Sequence, residues 1–253
     1  MNRFNDAYGH IIWNAFNGLT SFDVVERDDG YINVSGYEKV YLAEYNQWDK
    51  CEKESIKLAK GKCLDIGCGA GRVPLYLQEK GIYCLGIDNS PLAIKVCKMR
   101  GVVNAKVCEL AKIKSFRKNY FNSIIMFGNN FSLLSNVKKA KQLLRTMHKI
   151  TTEDALIIAG NRDPYITDNP FHLLYHKSNR KMGRMPGQLR VRVRFMQYST
   201  EWFDLLYVSK KEMKEILKGT GWKVHKFINS QDFAKNGLYT AIIKKEPEKK
   251  HVQ

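Results

Sequence analysis

The sequence predicts an α/β fold in which helices connect the strands of a mostly parallel sheet. From residue 62 onward, short apolar runs alternate with segments of helical periodicity, which is the pattern of parallel strands with crossover helices. The first apolar run leads into a glycine-rich turn that opens a helix, a second mark of this architecture. The chain has 253 residues, 44% of them apolar, so it can bury a core as one domain with an insertion.

The apolar runs and the helical segments give an ordered series of elements. We expect strands near 62–66, 83–88, 105–109, 121–128, 155–161, 223–229 and 238–244. We expect helices near 72–80, 91–100, 136–150 and 209–219. The last of these helices starts at Ser209 with Glu212 three residues later, which is a capping box.

The segments outside this series suggest a division of the chain. Residues 1–60 are rich in aromatic side chains, and a turn at 27–30 separates helical stretches near 3–18 and 36–60, so we expect an N-terminal helical lid. The domain proper should span 61–245, and 246–253 should be a basic tail. Residues 162–208 are too many for a simple connection, and they contain strand-like runs at 188–198 and 202–208 that predict a β-hairpin within an insertion.

Aromatic side chains recur at helical spacing in the second part of the predicted lid. Tyr37, Tyr41, Tyr45 and Trp48 would share one face of a helix over 36–60. We interpret this face as a cover for a bound ligand, with Tyr45 contacting substrate. Simple docking of the helix on the sheet is the alternative, and it is preferred for Tyr41 and Trp48.

Several classes of protein are disfavoured by composition. No apolar stretch approaches the roughly 20 residues of a membrane span, and the N-terminus lacks the pattern of a signal peptide. The six cysteines form no Cys-x-x-Cys pair, and no histidine stands at zinc-finger spacing from them. These features favour a cytoplasmic protein with free thiols and no membrane partner.

The most informative motif is the glycine-rich turn after the first strand of the series. Gly67, Gly69 and Gly71 have the spacing G-x-G-x-G, preceded by Asp65 and followed by Arg72. A dinucleotide fingerprint would need a glycine where Arg72 stands. Glycines allow a sharp turn and close approach to a ligand, and the helix that follows presents unpaired N–H groups.

Acidic residues end the next two strands of the series. Asp88 ends the second strand, where a carboxylate can accept both hydroxyls of a ribose. Ser90 and Pro91 then start a helix as N-cap and first residue. Glu109 ends the third strand, within reach of an adenine amino group. An NAD-type or purely structural unit of the same kind remains the alternative.

With these motifs in register, the chain resembles class I S-adenosylmethionine (SAM)-dependent methyltransferases. The resemblance covers 62–161 and extends through the last helix and strands, 209–245. It implies a Rossmann-like sheet of seven strands, mostly parallel with the last antiparallel. It implies SAM as cofactor, S-adenosyl-L-homocysteine as product and no metal. The cofactor-binding residues implied are Asp65, Gly67, Gly69, Gly71, Arg72, Asp88, Asn89, Glu109, Leu110, Gly128 and Asn129.

The end of the fourth strand faces the methyl group in this fold class. Here it contains Gly128, Asn129, Asn130 and Phe131, similar to the Gly-Asn-Ser-Phe element of glycine N-methyltransferase and its relatives. Asn130 is therefore a candidate catalytic residue that could orient a nucleophile, although an amide is a poor base. The alternative is that both asparagines cap a turn.

The insertion supplies candidates for a general base. His172 and His176 lie four residues apart and would share a helix face, with Tyr175 and Asp204 as weaker candidates. A metal site would need a third ligand, conceivably Asp163 or Asp168, so we expect no metal.

Positive charge is concentrated in the same insertion. The chain has 42 Lys and Arg against 25 Asp and Glu, a formal charge of +17, and residues 169–200 contain no carboxylate. Arginine forks suit carboxylate or phosphate, so we expect substrate contacts from Arg180, Arg184, Arg190 and Arg192. Arg190, Arg192 and Arg194 alternate with apolar residues, however, which is equally typical of a solvated sheet face.

These observations predict a methyltransferase acting on a small molecule that is anionic or carries an amine or carboxylate. The lack of an obvious strong base near the fourth strand favours N-, carboxyl-O- or S-methylation. The alternatives are an RNA or protein methyltransferase that uses the basic surface, and a SAM-binding regulator without chemistry. Monomer and homodimer both remain open.

Overall fold

The computed structural model describes residues 5–36 and 38–246. The predictions for Tyr37 and for 247–253 of the tail therefore lie outside the described residues. The helices are α1 Ala7–Phe16, α2 Glu38–Leu42, α3 Lys50–Ile56, α4 Arg72–Glu79, α5 Pro91–Met99, α6 Val137–Ile150, α7 Pro170–Lys181, α8 Lys210–Leu217 and α9 Phe233–Asn236. The strands are β1 Asp23–Arg27, β2 Ile32–Ser35, β3 Cys63–Ile66, β4 Cys84–Asp88, β5 Ala105–Val107, β6 Phe121–Met126, β7 Thr151–Arg162, β8 Gln188–Phe195, β9 Tyr198–Ser199, β10 Phe203–Leu206, β11 Trp222–Asn229 and β12 Leu238–Lys245. Short 3-10 helices cover Tyr45–Gln47, Leu110–Ser115 and Asn130–Leu134.

Seven strands form the main sheet in the order β11-β12-β7-β6-β3-β4-β5. Neighbouring strands from β5 to β7 are parallel, and β12 runs antiparallel to both β7 and β11. This arrangement confirms the predicted Rossmann-like sheet with an antiparallel last strand. All the parallel strands therefore present their carboxyl ends at one edge, where ligands bind in open α/β sheets.

Apolar clusters cover both faces of the main sheet. One face packs against α6 and α8 around residues such as Leu144, Met213 and Trp222. The other face packs against α3 and α4 around Ile56 and Leu77. Burial on both faces explains why the central strands read as continuous apolar runs rather than alternating ones.

A second, antiparallel sheet joins the N-terminal region to the insertion. Its order is β10-β8-β1-β2, with β9 paired to β8. The hairpin predicted in the insertion is present as β8 with β9 and β10. The purely helical lid expected over 1–60 is wrong in part, because residues 23–35 form the β1–β2 hairpin. This hairpin is completed by β8, about 170 residues further along the chain, and such a distant pairing leaves no local signal.

The helix predicted over 36–60 is also interrupted. Asp49 caps a new helix by accepting a hydrogen bond from the Cys51 N–H at 2.8 Å, so α2 and α3 are separate. Tyr41, Tyr45 and Trp48 consequently lie in three different local structures rather than on one helix face.

Helix α1 docks on α5 through a shared carboxylate. Asp6 accepts hydrogen bonds from the Gly9 N–H at 3.0 Å and the Leu92 N–H at 3.3 Å. One buried side chain thus caps the N-termini of two helices and fixes the N-terminal region beside the end of β4. Helix α1 is therefore held against the main domain, at the sheet edge where the predicted ligand site lies.

Candidate functional site

The glycine turn lies at the carboxyl end of β3. Gly67, Gly69 and Gly71 have φ values of 71°, 53° and 82°, a backbone region that favours glycine. Gly71 is the N-cap of α4, so the turn leads directly into the helix. The predicted glycine turn therefore lies between a buried strand and a helix N-terminus, the context in which such a motif binds ligands.

Asn130 braces this turn from the neighbouring strand end. Its side-chain Nδ2 donates hydrogen bonds to the carbonyl oxygens of Ile66 at 2.8 Å and Gly67 at 3.0 Å. A Cβ atom added at Gly67 would lie 2.5 Å from that nitrogen. The Asn130 amide is thus engaged in holding the loop, while Asn130 also lines the cleft in front of it.

Asp65 places a buried carboxyl group at the floor of the cleft. Asp65 is 2% exposed, and its carboxyl group makes no hydrogen bond to any described residue. Burial raises the pKa of Asp65 to about 7, although the positive charge of Arg72 acts in the opposite direction. An unpaired acceptor of this kind is suited to a cationic ligand group.

Arg72 is held by a partner that the sequence analysis did not identify. Its guanidinium makes two hydrogen bonds of 2.7 Å each to the carboxylate of Glu52 on α3. The two side chains are 10% and 14% exposed, and the guanidinium lies 4.7 Å from the ring centre of Trp48. Glu52 also accepts a bond from the Gly128 N–H at 3.3 Å. No local signal marked Glu52, because the residues it joins are distant in sequence.

Asp88 is tied into the same loop. Its two carboxylate oxygens accept the N–H groups of Gly69 and Ser90, each at 2.9 Å. Burial raises the pKa of Asp88, and those two backbone hydrogen bonds oppose the rise. The Asp88 carboxylate is therefore fixed in orientation, with lone pairs left for a ligand.

The residues after β4 and β5 lie along the edge of the site. Asn89 is exposed and Leu110 half-buried. Glu109 is exposed and pairs with Lys112 at 3.0 Å. The hydrogen bond from the Cys108 N–H to the Asp88 carbonyl, 2.8 Å long, holds the two strand ends together.

A cleft of about 460 Å³ lies in front of the glycine turn. Its walls include the glycine turn, Asp65, Arg72, Phe127, Gly128 and Asn130. Val40 and Tyr41 of α2 form the opposite wall, and a Cβ at Gly69 would lie 3.5 Å from the Tyr41 ring. The short helix α2 therefore covers the glycine turn.

Three tyrosines gather beside this wall. Tyr8, Tyr41 and Tyr207 are half-buried, and none of their hydroxyls has a hydrogen-bond partner among the described residues. Burial raises the pKa of the Tyr41 hydroxyl, and the nearby charges of Asp23 and Asp88 raise it further. Tyr207 has the same kind of effect on the pKa values of Tyr8 and Tyr41, so the three phenols lie near one another.

Arg162 lies near Tyr207. It is the last residue of β7, is exposed, and makes no ion pair with any described carboxylate. The side chain of its neighbour Asn161 donates to the Leu206 carbonyl at 3.3 Å, which brings the end of β7 against the end of β10 and hence near Tyr207. Burial raises the pKa of Tyr207 and the charge of Arg162 opposes that rise. The same charge contributes, after burial and Arg27, to lowering the pKa of His172, so Arg162 is close enough to affect both groups.

Comparison with known proteins agrees with this geometry. The family model described as "Methyltransferase domain" matches residues 64–159. The crystal structure of a SAM-dependent methyltransferase from Bacteroides fragilis, determined with S-adenosyl-L-homocysteine, is similar at a TM-score of 0.81 and 22% identity over 98% of both chains. Residues 64–159 thus match a methyltransferase domain, and the chain has the fold of SAM-dependent methyltransferases. A SAM-dependent methyltransferase from Methanosarcina mazei is similar at a TM-score of 0.58 and 18% identity, covering 73% of this chain and 92% of that one.

Curated relatives match the methyltransferase domain over a shorter range. A protein of Geobacillus sp. (strain WCH70) with a provisional methyltransferase name is 20% identical over 146 residues, 54% of this chain and 58% of that protein. Bacillus subtilis (strain 168) YqeM, also provisionally named a methyltransferase, is 21% identical over 132 residues, 49% of this chain and 53% of YqeM. The match thus spans little more than half the length of these relatives.

Two of the four predicted substrate arginines, Arg190 and Arg192, lie on strand β8 of the second sheet and do not line the glycine-turn cleft. Arg192 makes hydrogen bonds of 2.8 and 3.0 Å to Glu26, and Arg194 pairs with the same carboxylate at 3.3 Å. Arg190 pairs with Asp204 at 3.2 Å. The alternation along β8 therefore produces a solvated, ion-paired face.

The two remaining predicted arginines are exposed on the insertion. Arg184 lines a separate surface cavity together with Gln188, Leu189, Arg190 and Asp204. Arg180 lies at the end of α7, near Tyr165. Burial and the Glu212 hydrogen bond raise the pKa of the Tyr165 hydroxyl to about 12, and Arg180 opposes that rise. Neither arginine is among the residues that line the glycine-turn cleft.

The predicted base candidates occupy α7, where it packs on the β1–β2 hairpin. The Tyr175 hydroxyl donates to Asp28 at 2.7 Å, and its ring lies 4.1 Å from the guanidinium of Arg27. Burial, followed by the Asp28 hydrogen bond, raises the pKa of Tyr175 to about 12. His176 is buried, and burial lowers its pKa. Tyr175 and His176 thus support the fold of the insertion.

His172 lies in the first turn of α7, beside Thr167 and Tyr31. It is half-buried, with its Nδ1 atom 3.2 Å from the Thr167 hydroxyl. Burial and then the charges of Arg27 and Arg162 lower the pKa of His172, so its imidazole is neutral near pH 7. Of the three base candidates it is the one whose surroundings include Arg162.

Tyr45 packs beneath α2 rather than in the cleft. Its ring stacks on Tyr76 with centroids 4.5 Å apart, and its hydroxyl donates to the Lys53 carbonyl at 3.3 Å. Within 5–36 and 38–246, no group of three or more His, Cys, Asp or Glu side chains could hold a metal ion. No helix in that part of the chain is long and apolar enough to cross a bilayer.

Proposed function

We propose that this protein transfers the methyl group of SAM to a small molecule that carries an anionic group. The proposal depends on one observation: residues suited to SAM and residues suited to an anionic acceptor lie next to each other. The glycine turn and Asp65 line the cleft together with Tyr41, and Asp88 is hydrogen-bonded to the turn at Gly69. Tyr207 affects the pKa of both Tyr8 and Tyr41, and Arg162 affects the pKa of Tyr207, so these groups lie close to the Tyr41 side of the cleft. Residues suited to the cofactor and to an acceptor are thus adjacent.

The residues around the glycine turn fit the chemical groups of SAM. Asp65, buried and without a hydrogen-bond partner among the described residues, would accept from the α-ammonium group. Asp88 would accept from the ribose hydroxyls, while Asn89, Glu109 and Leu110 would lie along the adenine. Gly128 and Asn129, both with left-handed φ values, would bring backbone close to the cofactor.

When bound, SAM supplies a methyl group on a positively charged sulfur. The protein's part is to align the acceptor atom with the methyl–sulfur bond and to keep water out. Val40 and Tyr41 of α2 provide the cover, and Glu52 fixes Arg72 at the start of α4. No base is needed if the acceptor is an amine, thiol or carboxylate in the reactive protonation state.

Arg162 supports an anionic acceptor better than the arginines selected from the sequence. It is the arginine near the three phenols that has no ion pair among the described residues, whereas Arg190 and Arg192 are paired with carboxylates. Guanidinium and phenol hydroxyls together are suited to a carboxylate or phosphate. His172 would act on the acceptor's proton if the nucleophile required it.

The experiment uses SAM with a radiolabelled methyl group and a cell extract separated into small molecules, RNA and protein. Label should enter the small-molecule fraction and be lost with Asp88→Ala. Label in RNA or protein would refute the small-molecule proposal and assign the basic surface to a macromolecular partner. Binding of SAM without labelling of any fraction would favour the regulator.

The identified acceptor then tests the role of Arg162. Arg162→Ala should raise KM for the acceptor roughly ten- to hundredfold, since it removes a hydrogen-bonded charge, and should leave the Kd for SAM unchanged. Arg192→Ala is the matched control, and its KM should remain within about twofold of the wild type. An equal effect of both substitutions would refute a specific contact.

A further inference from the structure

The free edge of the second sheet is strand β2, and its backbone and side chains are suited to pairing with another strand. Strand β2 pairs on one side with β1 and is the last strand of that sheet. Ile32 and Val34 are 55% and 65% exposed, and Asn33 between them is also exposed. An exposed apolar edge strand is a ready template for another strand.

The hydrogen bonds of β2 show which backbone groups are available. The Arg27 N–H donates to the Tyr31 carbonyl at 2.9 Å, so in this register Tyr31, Asn33 and Ser35 face β1. The N–H and C=O groups of Ile32 and Val34 therefore face away from the sheet. Those four groups are spaced for an antiparallel partner.

This edge differs from the other sheet edges in the described structure. Strand β11 has Lys223, His225 and Lys226 and a register shift, features that discourage pairing. Strand β5 has three residues, including Lys106, and β10 carries Asp204. Strand β2 has no charged residue, no proline and no bulge.

We propose that two copies of this chain associate through β2, in antiparallel register about a twofold axis at Asn33. In that register Ile32 of one copy lies opposite Val34 of the other, and each pair exchanges both backbone hydrogen bonds. The four outward groups of each β2 are thereby satisfied, and the apolar side chains form two equivalent cross-strand contacts. The edge is self-complementary, as a twofold interface requires.

Charge also favours a second copy at this place. The chain carries a formal charge of +17, so two copies repel over most of their surface. Residues 28–36 contain Asp28 and Asp29 and no lysine or arginine, so this edge adds no positive charge to that repulsion. Exposed Phe171 extends the apolar surface, because its ring lies 6.0 Å from Tyr31 at the start of β2.

Pairing would also affect the cleft, because α2 starts three residues after β2 ends. Val40 and Tyr41 of that helix cover the glycine turn. A paired β2 would anchor one end of this cover. The interface would thus stabilise the closed form of the site in both copies.

The test compares the mass and the amide exchange of the full chain. Light scattering after gel filtration should give twice the chain mass of 29.3 kDa for the wild type at about 50 µM, a concentration chosen for detection. Val34→Lys places two like charges near each other across the twofold axis and should raise the dimer Kd roughly tenfold or more. Val103→Lys, at a residue 74% exposed and outside this edge, should leave the Kd unchanged.

Amide exchange distinguishes this interface from any other. In the dimer, the amides of Ile32 and Val34 should be protected, and in the Val34→Lys monomer they should exchange freely while Asn33 remains protected by β1. Unchanged circular dichroism would show that the variant folds. A wild type that remains monomeric, including one whose β2 pairs only with a foreign strand, would overturn the proposal. So would a dimer in which the Ile32 and Val34 amides exchange freely.

Discussion

Replacing Asp65 with Asn should stabilise the protein in the absence of ligand, by an amount that grows with pH. Burial raises the pKa of Asp65 to about 7 in the folded state, compared with about 3.9 for an unfolded aspartate. Because the folded-state pKa is the higher one, ionising Asp65 costs stability. The cost is absent below about pH 4, grows as the pH rises, and is complete above pH 7.

The magnitude follows from the two pKa values. At about 1.36 kcal/mol per pKa unit, the ionised carboxylate costs about 4 kcal/mol at pH 8 and about 1.5 kcal/mol at pH 5. Asparagine carries no charge, so the stability gained by Asp65→Asn should be about 2.5 kcal/mol larger at pH 8 than at pH 5. Taking this difference removes the pH-independent effect of exchanging carboxyl for amide.

Urea unfolding followed by circular dichroism measures this difference. Asp154→Asn is the matched control, because Asp154 is an exposed carboxylate whose pKa is lowered by its hydrogen bond to Lys60. Its substitution should change stability by less than about 1 kcal/mol, with a loss confined to pH values above 4. An Asp65→Asn effect that is equal at pH 5 and pH 8 would refute the buried, titrating carboxyl. Calorimetry with SAM at pH 8 should show roughly ten- to hundredfold weaker binding by the same variant.

Two further substitutions test the supports of the glycine turn. Glu52→Gln should lower the free energy of unfolding by about 3 kcal/mol, because it leaves Arg72 buried without its countercharge. Glu54→Gln, which breaks an exposed 3.8 Å pair on the same helix, should cost less than about 0.5 kcal/mol; similar losses would show that the Arg72 pair is not specially buried. Gly67→Ala and Gly81→Ala introduce a Cβ at nearly the same φ, 71° and 70°, so both should pay about 1–2 kcal/mol of backbone strain. Only Gly67→Ala also displaces Asn130, so in a binding assay only this variant should lose SAM affinity. Equal SAM affinity in the two variants would contradict the role of the Asn130 hydrogen bonds in holding the glycine turn.

The parallel sheet and the ligand edge could be predicted from the sequence because their signals are local. Each β-strand with its following helix is short, and strand, turn and cap residues are adjacent in the chain. The glycine turn, Asp88 with the Ser90 cap, and the capping box at Ser209 were all identified on this basis, and each lies where it was expected. Parallel strands place their carboxyl ends together, so these residues share one edge once the fold class is known.

Only the tertiary structure decided the partners of the charged residues and the composition of the lid. An arginine in a strand of alternating apolar and polar residues gives the same sequence pattern whether it faces a ligand or a carboxylate on another strand. In the structure, Arg192 pairs with Glu26 of the N-terminal hairpin, which is distant in sequence. Glu52, Arg162 and the three phenols have no motif, since their neighbours come together through long-range packing. The sequence determined the framework through local hydrogen bonding and periodicity. The long-range contacts determined which side chains remain available for chemistry, because a charge is available only where folding has given it no partner.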